Sequence, residues 1–206
     1  MAVSKTHPTA AILEAAEAGI RLFGENRVQE FERKSVELKS SGVDPRIEVH
    51  LIGHLQSNKA AKAAQIFSAI DTVDSLRLAE RLNSAATNDT ALPVLLEIKL
   101  SAEETKTGLS HDGPELRELL ERAPDLAGLR FNGLMTVAPF DNNPETARAC
   151  FRQLRELRDR LAQAHPKLDL RDLSMGMSGD FEIGIEEGST LIRIGTALFG
   201  AREPQA

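Results

Sequence analysis

Eight short apolar or β-branched runs alternate with segments of helical period along this chain, and that alternation limits the fold more than any other feature. The runs are AVSK (2–5), IRLFGE (20–25), EVHLIG (48–53), AIDTVD (69–74), PVLLEIKL (93–100), LRFNGLMTV (129–137), DLSMGM (172–177) and TLIRIG (190–195). Between them lie helical segments, from TAAILEAAEAG near the start to DFEIGIEEG near the end. Most open on Ser, Thr, Asp, Asn or Pro and several close near Gly, as helix ends prefer. Repeated strand–helix units predict an α/β fold with a parallel sheet. Eight such units close into a (β/α)8 TIM barrel. The open, doubly wound alternative needs a glycine-rich turn after its first strand to hold a nucleotide, whereas here that strand runs into KTHPT. The 206 residues are short beside the about 250 usual for a barrel. They suffice for one domain spanning 1–206, and no shift in composition marks a second.

Composition removes several classes of function. No apolar stretch approaches the about 18 residues of a membrane helix, and no basic segment followed by an apolar run opens the chain. The single cysteine, Cys150, cannot form an internal disulfide, so the expected setting is cytoplasmic. The net charge is −6, with bases and acids interleaved in ELRELLER (115–122) and RQLRELRDR (152–160), which read as mostly solvated faces with local i,i+4 partners. With no Trp and no Tyr there is neither a basic stripe nor a stacking platform for nucleic acid.

A barrel assembles its chemistry at the C-terminal ends of its strands. Read at those ends, the chain offers Lys5, Glu25-Asn26, Gly53-His54, Asp74, Lys99, Met135-Thr136, Ser174 to Ser178, and Arg193 to Thr196. The first and eighth strands become neighbours on closure, which sets Lys5 opposite Arg193. The seventh strand ends in SMGMSGD, with Gly176 and Ser178-Gly179, and the eighth in IRIGTALFG, with Gly195-Thr196, where backbone N–H groups and a small hydroxyl can converge on a phosphate. A lysine held beside a phosphate in a partly dry pocket can form a Schiff base with a ligand's carbonyl, which points to pyridoxal 5'-phosphate. Arg193 could donate to the pyridine nitrogen. An arginine cannot accept a proton, so that ring nitrogen would stay neutral and only restrained carbanion chemistry would follow.

The segments AVSKTHP, FGENRVQE, HLIGHLQSNK, EIKLSAEETKTGL, GLMTV and LSMGMSGDFEIGIEEGSTLIRIGTALFG are similar, in order and spacing, to the motifs of the YggS/PROSC family, the pyridoxal phosphate homeostasis proteins. The resemblance covers essentially the whole chain. It implies a fold-type III barrel like the N-terminal domain of alanine racemase, with the cofactor on Lys5 and its phosphate at Ser178, Gly195 and Thr196. It further implies Arg193 at the pyridine nitrogen and Asn26 near the ring. Lys106 matches a second family lysine linked to cofactor transfer, and reads equally well as a solvent-facing loop lysine. Family members usually carry a leading helix and a longer first strand, so a short first strand without that helix is expected here. Val49 stands where an aromatic residue usually precedes the histidine, and Pro8 follows His7 where a lysine is frequent.

Among the remaining polar residues, His50 is expected to be a buried, satisfied histidine. Gln56 and Asn58 are expected to cap a helix start beside His54, and Cys150 to lie in the core. No spacing resembles a metal site. Two functional classes then remain. One is a monomeric carrier that stores, buffers or delivers pyridoxal phosphate, with apo-enzymes as possible recipients; the other is a racemase or related amino-acid enzyme. A racemase of this fold needs a second base, a tyrosine in alanine racemase, and this chain has none. The carrier is the expected function. A third reading, a cofactor-free barrel acting on a phosphorylated sugar, would nominate Glu25 or Asp74 as its base and leaves the Lys5–Arg193 pair without a purpose.

Overall fold

The computed structural model describes residues 1–42, 46–86, 90–100 and 107–200. Its strands are β1 (Ala2–Val3), β2 (Leu22–Glu25), β3 (Glu48–Leu51), β4 (Ala69–Val73), β5 (Leu92–Lys99), β6 (Leu109–Ser110), β7 (Leu129–Met135), β8 (Asp172–Met177) and β9 (Leu191–Arg193). Its helices are α1 (Thr9–Glu17), α2 (Val28–Ser40), α3 (Ala60–Ile66), α4 (Leu76–Ala85), α5 (Pro114–Arg122), α6 (Pro144–Ala164), α7 (Phe181–Glu186) and α8 (Thr196–Phe199).

All strand pairings are parallel, in the order β1-β2-β3-β4-β5-β7-β8-β9. The first and last staves meet through a parallel bridge between Ala2 and Ile194. There the Val3 N–H donates to the Ile194 carbonyl at 2.8 Å and the Ile194 N–H to the Met1 carbonyl at 3.0 Å. The sheet is therefore a barrel, each expected strand supplying one stave. β6 is an addition: two residues paired to β5 outside the closed ring.

Period-two alternation along each stave separates an outer apolar layer from an inner face. Val49 and Leu51 join Ile70, Leu96, Ile98, Leu134 and Leu173 in the apolar core, while on the alternate positions Ile52 lines the cavity and His50 pairs with Asp71. Helix starts follow local chemistry: Ser75 Oγ accepts from the Leu78 N–H at 3.2 Å, and Asn143 Oδ1 accepts from the Glu145 N–H at 3.1 Å ahead of Pro144. Gln56 makes no side-chain cap, contrary to expectation, nor does Lys59 at the start of α3. Cys150 is buried on the inner side of α6. Among the described residues no helix is long and apolar enough to cross a membrane.

The arginines of α6 also depart from the expected solvated face. Arg148, Arg152 and Arg155 converge on the Glu187 carboxylate at 3.4, 3.1 and 3.0 Å, and Arg155 donates to the Glu187 carbonyl as well. Glu187 follows α7 directly, so these contacts tie α7 to α6. The attraction of the arginines holds the Glu187 carboxyl below its ordinary range, against the opposing effect of its burial.

Candidate functional site

A cavity of about 700 Å³ opens at the C-terminal ends of the staves. Lys5, Asn26, Ser178, Arg193, Gly195 and Thr196 all line it, so the six residues singled out in the sequence meet at one place. Its volume suits a small cofactor, for which pockets of about 300–1,000 Å³ are usual. Lys106 lies outside the described residues.

Arg193 forms the floor of one side. It is 5% exposed, and its Nη1 and Nη2 donate to Ser174 Oγ at 2.7 Å and the Thr136 carbonyl at 2.8 Å. Thr136 in turn donates through its hydroxyl to the Ile98 carbonyl at 2.8 Å, so β5, β7, β8 and β9 jointly fix the guanidinium. Burial pulls its pKa down, opposed by Asp71, Asp180 and Glu97 at a distance. A cation taken out of water this completely usually has a hydrogen-bonded carboxylate. Among the described residues Arg193 has only the two neutral acceptors, which leaves its charge available to a bound group.

The turns after β8 and β9 meet beside it. Ser178 Oγ accepts from the Gly195 N–H at 3.3 Å and the Ala197 N–H at 3.4 Å. These long bonds mark converging donors that a more strongly accepting oxygen would satisfy better. Asp180 braces the loop by accepting from the Met177 N–H at 2.6 Å. Gly176 holds φ at +92°, a region open to glycine. Gly184 in α7 lies close enough that a Cβ there would stand 3.1 Å from the Met175 carbonyl, so the SMG and EIG glycines set α7 hard against β8.

Lys5 sits half-buried where β1 ends, and His7 packs on Phe199 of α8 with ring centroids 5.1 Å apart, joining the lysine loop to the loop after β9. Asn26 follows β2 and rests on Gly53, where a Cβ would collide with the Asn26 backbone. Gly53→Ala is accordingly expected to cost about 1–3 kcal/mol of stability and to displace Asn26. A fall in melting temperature together with weaker ligand binding checks this. On the side of β7, the loop 136–143 borders the cavity and carries Phe140 at 98% exposure.

One polar residue takes another place than expected. Glu25 is not at the mouth. It is fully buried behind the barrel wall, where Ser4 Oγ and Lys34 Nζ donate to its Oε1 at 2.7 and 2.8 Å, because β2 turns odd positions toward α2. This removes it as a mouth base. Asp74 does stand at the rim, 3.0 Å from His54 Nδ1. His50 is paired as expected, its Nδ1 at 3.0 Å from Asp71 Oδ1. Glu97, on the inner face of β5, carries no expectation from the sequence; it accepts from the Thr107 hydroxyl at 2.9 Å, and among the described residues its other oxygen has no partner. Burial raises its pKa. The folded state then keeps a proton that the unfolded chain has lost, so stability falls as pH rises from the ordinary glutamate value of 4.5 to the raised one. Glu97→Gln should flatten that part of a melting temperature against pH curve.

Comparison with known proteins now bears on these residues. The family model for the alanine racemase N-terminal domain matches residues 1–203. A pyridoxal phosphate homeostasis protein of Aquifex aeolicus is 43% identical over 204 residues, covering 98% of this chain and 86% of that protein. One from Haemophilus influenzae is 44% identical over 204 residues, covering 98% and 84%. The chain belongs to the alanine racemase N-terminal domain family, among the pyridoxal phosphate homeostasis proteins. The family's structures agree. PipY of Synechococcus elongatus, solved without PLP, superposes with a TM-score of 0.90 at 44% identity, over 97% of this chain and 91% of that one. PipY has also been solved with PLP bound, where the TM-score is 0.89. The alanine racemase of Clostridium difficile, at 16% identity and a TM-score of 0.73, shares the fold over 99% of this chain and 52% of its own.

Proposed function

We propose that this protein binds pyridoxal 5'-phosphate as a Schiff base on Lys5 and serves its homeostasis in the cytoplasm by storing, buffering or delivering it. The observation that carries this reading is the meeting of Lys5, the buried Arg193 and the Ser178–Gly195 turns around one cavity. The names of the relatives and the PLP-bound PipY support it.

The residues present fit the group. Ser178, Gly195 and Thr196 would hold the phosphate, their N–H and hydroxyl donors being oriented by the turns after β8 and β9. Arg193 would donate to the pyridine nitrogen and Asn26 would border the ring. When bound, the cofactor supplies an aldehyde for Lys5 and an electron-accepting ring. Arg193 restrains that ring, because it lends a hydrogen bond and no proton. The chain has no tyrosine to act as a second base, so holding the cofactor is favoured over racemisation. Release to apo-enzymes, and action as a monomer, complete the proposal.

Titrating the purified protein with pyridoxal phosphate should produce a visible absorbance band. Assays with alanine and serine should show no turnover near the 1 per second or more of an ordinary enzyme. Such turnover would install the racemase reading instead. Ser178→Ala should weaken cofactor binding by about 1–3 kcal/mol, and an unchanged titration would remove Ser178 from the phosphate site.

A further inference from the structure

We propose that Glu30 and Lys34, both on α2, are positioning residues for Lys5, acting on the two peptide groups that flank it; this rests on the reading of Lys5 as the Schiff-base lysine. Lys34 Nζ donates to the Ser4 carbonyl at 3.0 Å, to Glu25 Oε1 at 2.8 Å and to Glu30 Oε1 at 2.7 Å. Its three protons therefore have three acceptors, and one of these is the carbonyl that enters the Lys5 peptide bond. On the other side, the Thr6 N–H donates to Glu30 Oε1 at 2.6 Å. The Ser4 hydroxyl donates to the Glu25 carboxylate at 2.7 Å, closing the network beneath the lysine.

A second observation is independent of these bonds. Thr6 holds φ at +66°, the sole positive φ at a non-glycine position among the described residues. A β-branched residue in the left-handed region is strained, and such a conformation persists only where its surroundings enforce it. The Glu30 carboxylate on the Thr6 N–H, the His7 N–H on the Ser4 carbonyl at 3.1 Å, and Lys34 on that same carbonyl supply the enforcement. The turn Ser4–His7 is thus held from below by α2, and Lys5 lines the cavity together with Val3 and His7. A lysine set in advance against the carbonyl it must meet loses less freedom in reacting, which is the physical value of the clamp.

Glu30 is partly exposed, so Glu30→Ala can be made without emptying the core; Lys34→Met, which strands the buried Glu25, serves as a second variant if it folds. Two readouts are needed. In ligand-free protein, amide hydrogen exchange over residues 4–7 should rise in Glu30→Ala, at Thr6 most of all, with little change elsewhere. After mixing with pyridoxal phosphate, the rate at which borohydride-trappable cofactor accumulates on Lys5 should fall by roughly tenfold. Glu30→Gln, which keeps an acceptor for the Thr6 N–H, should recover most of that rate. A wild-type trapping rate in Glu30→Ala, or unchanged exchange at residues 4–7, would overturn the clamp. Absence of any adduct on Lys5 in the wild-type protein would overturn the Schiff-base reading itself, a result the variants cannot mimic.

Discussion

Lys5→Ala is expected to fold normally and to lose the visible band that pyridoxal phosphate gives with the wild-type protein. Lys5 is half-buried at a stave end, outside the apolar layer, so its truncation leaves the core intact. The phosphate turns and Arg193 remain, and residual non-covalent binding should persist at an affinity lower by about 100-fold or more, roughly 3 kcal/mol. Fluorescence titration and absorbance measure the two effects separately. Retention of both the band and full affinity would place the covalent link elsewhere.

The second large effect belongs to Arg193→Ala. This change removes a buried cation that β8 and β7 hold through Ser174 and Thr136, leaving those two groups without their donor. Cofactor binding should weaken by about 2–5 kcal/mol, the range for losing one partner of a buried charge-assisted hydrogen bond. The absorbance of the bound chromophore should also shift, because the ring nitrogen loses its donor. Arg193→Lys should recover little: a single ammonium cannot span Ser174, Thr136 and a ligand in the plane that a guanidinium offers. An unshifted spectrum in Arg193→Ala would mean that the guanidinium does not face the ring.

How far the chain discloses this arrangement depends on the range of the forces involved. The eight staves are legible because each is a short apolar or β-branched run bounded by turn residues, and most of the polar residues at their ends, Glu25 excepted, fall on the mouth once the barrel closes. All six candidate residues lie at such ends. β6 is not legible: Leu109-Ser110 has no periodicity and exists only because Ile98 and Lys99 offer it an edge. The position of Glu25 is hidden for a related reason. In IRLFGEN it looks like a polar strand end, and only the packing of α2 shows that Lys34 waits behind it. Glu30 and Lys34 do have helical i,i+4 spacing, but on sequence such a pair reads as solvated; its burial is a tertiary fact. The α6 arginines mislead in the same way, since Glu187, their shared partner, lies more than thirty residues from Arg155. Glu97 gives no signal beyond a carboxylate in an apolar strand, which in hindsight is the signal.

The central claim is that Lys5 holds the cofactor, and borohydride reduction of the protein mixed with pyridoxal phosphate, followed by peptide mass mapping, tests it most directly. The account predicts one reduced phosphopyridoxyl adduct, on the N-terminal peptide at Lys5, present in the wild type and absent from Lys5→Ala. An adduct on another lysine that persists in Lys5→Ala would contradict it.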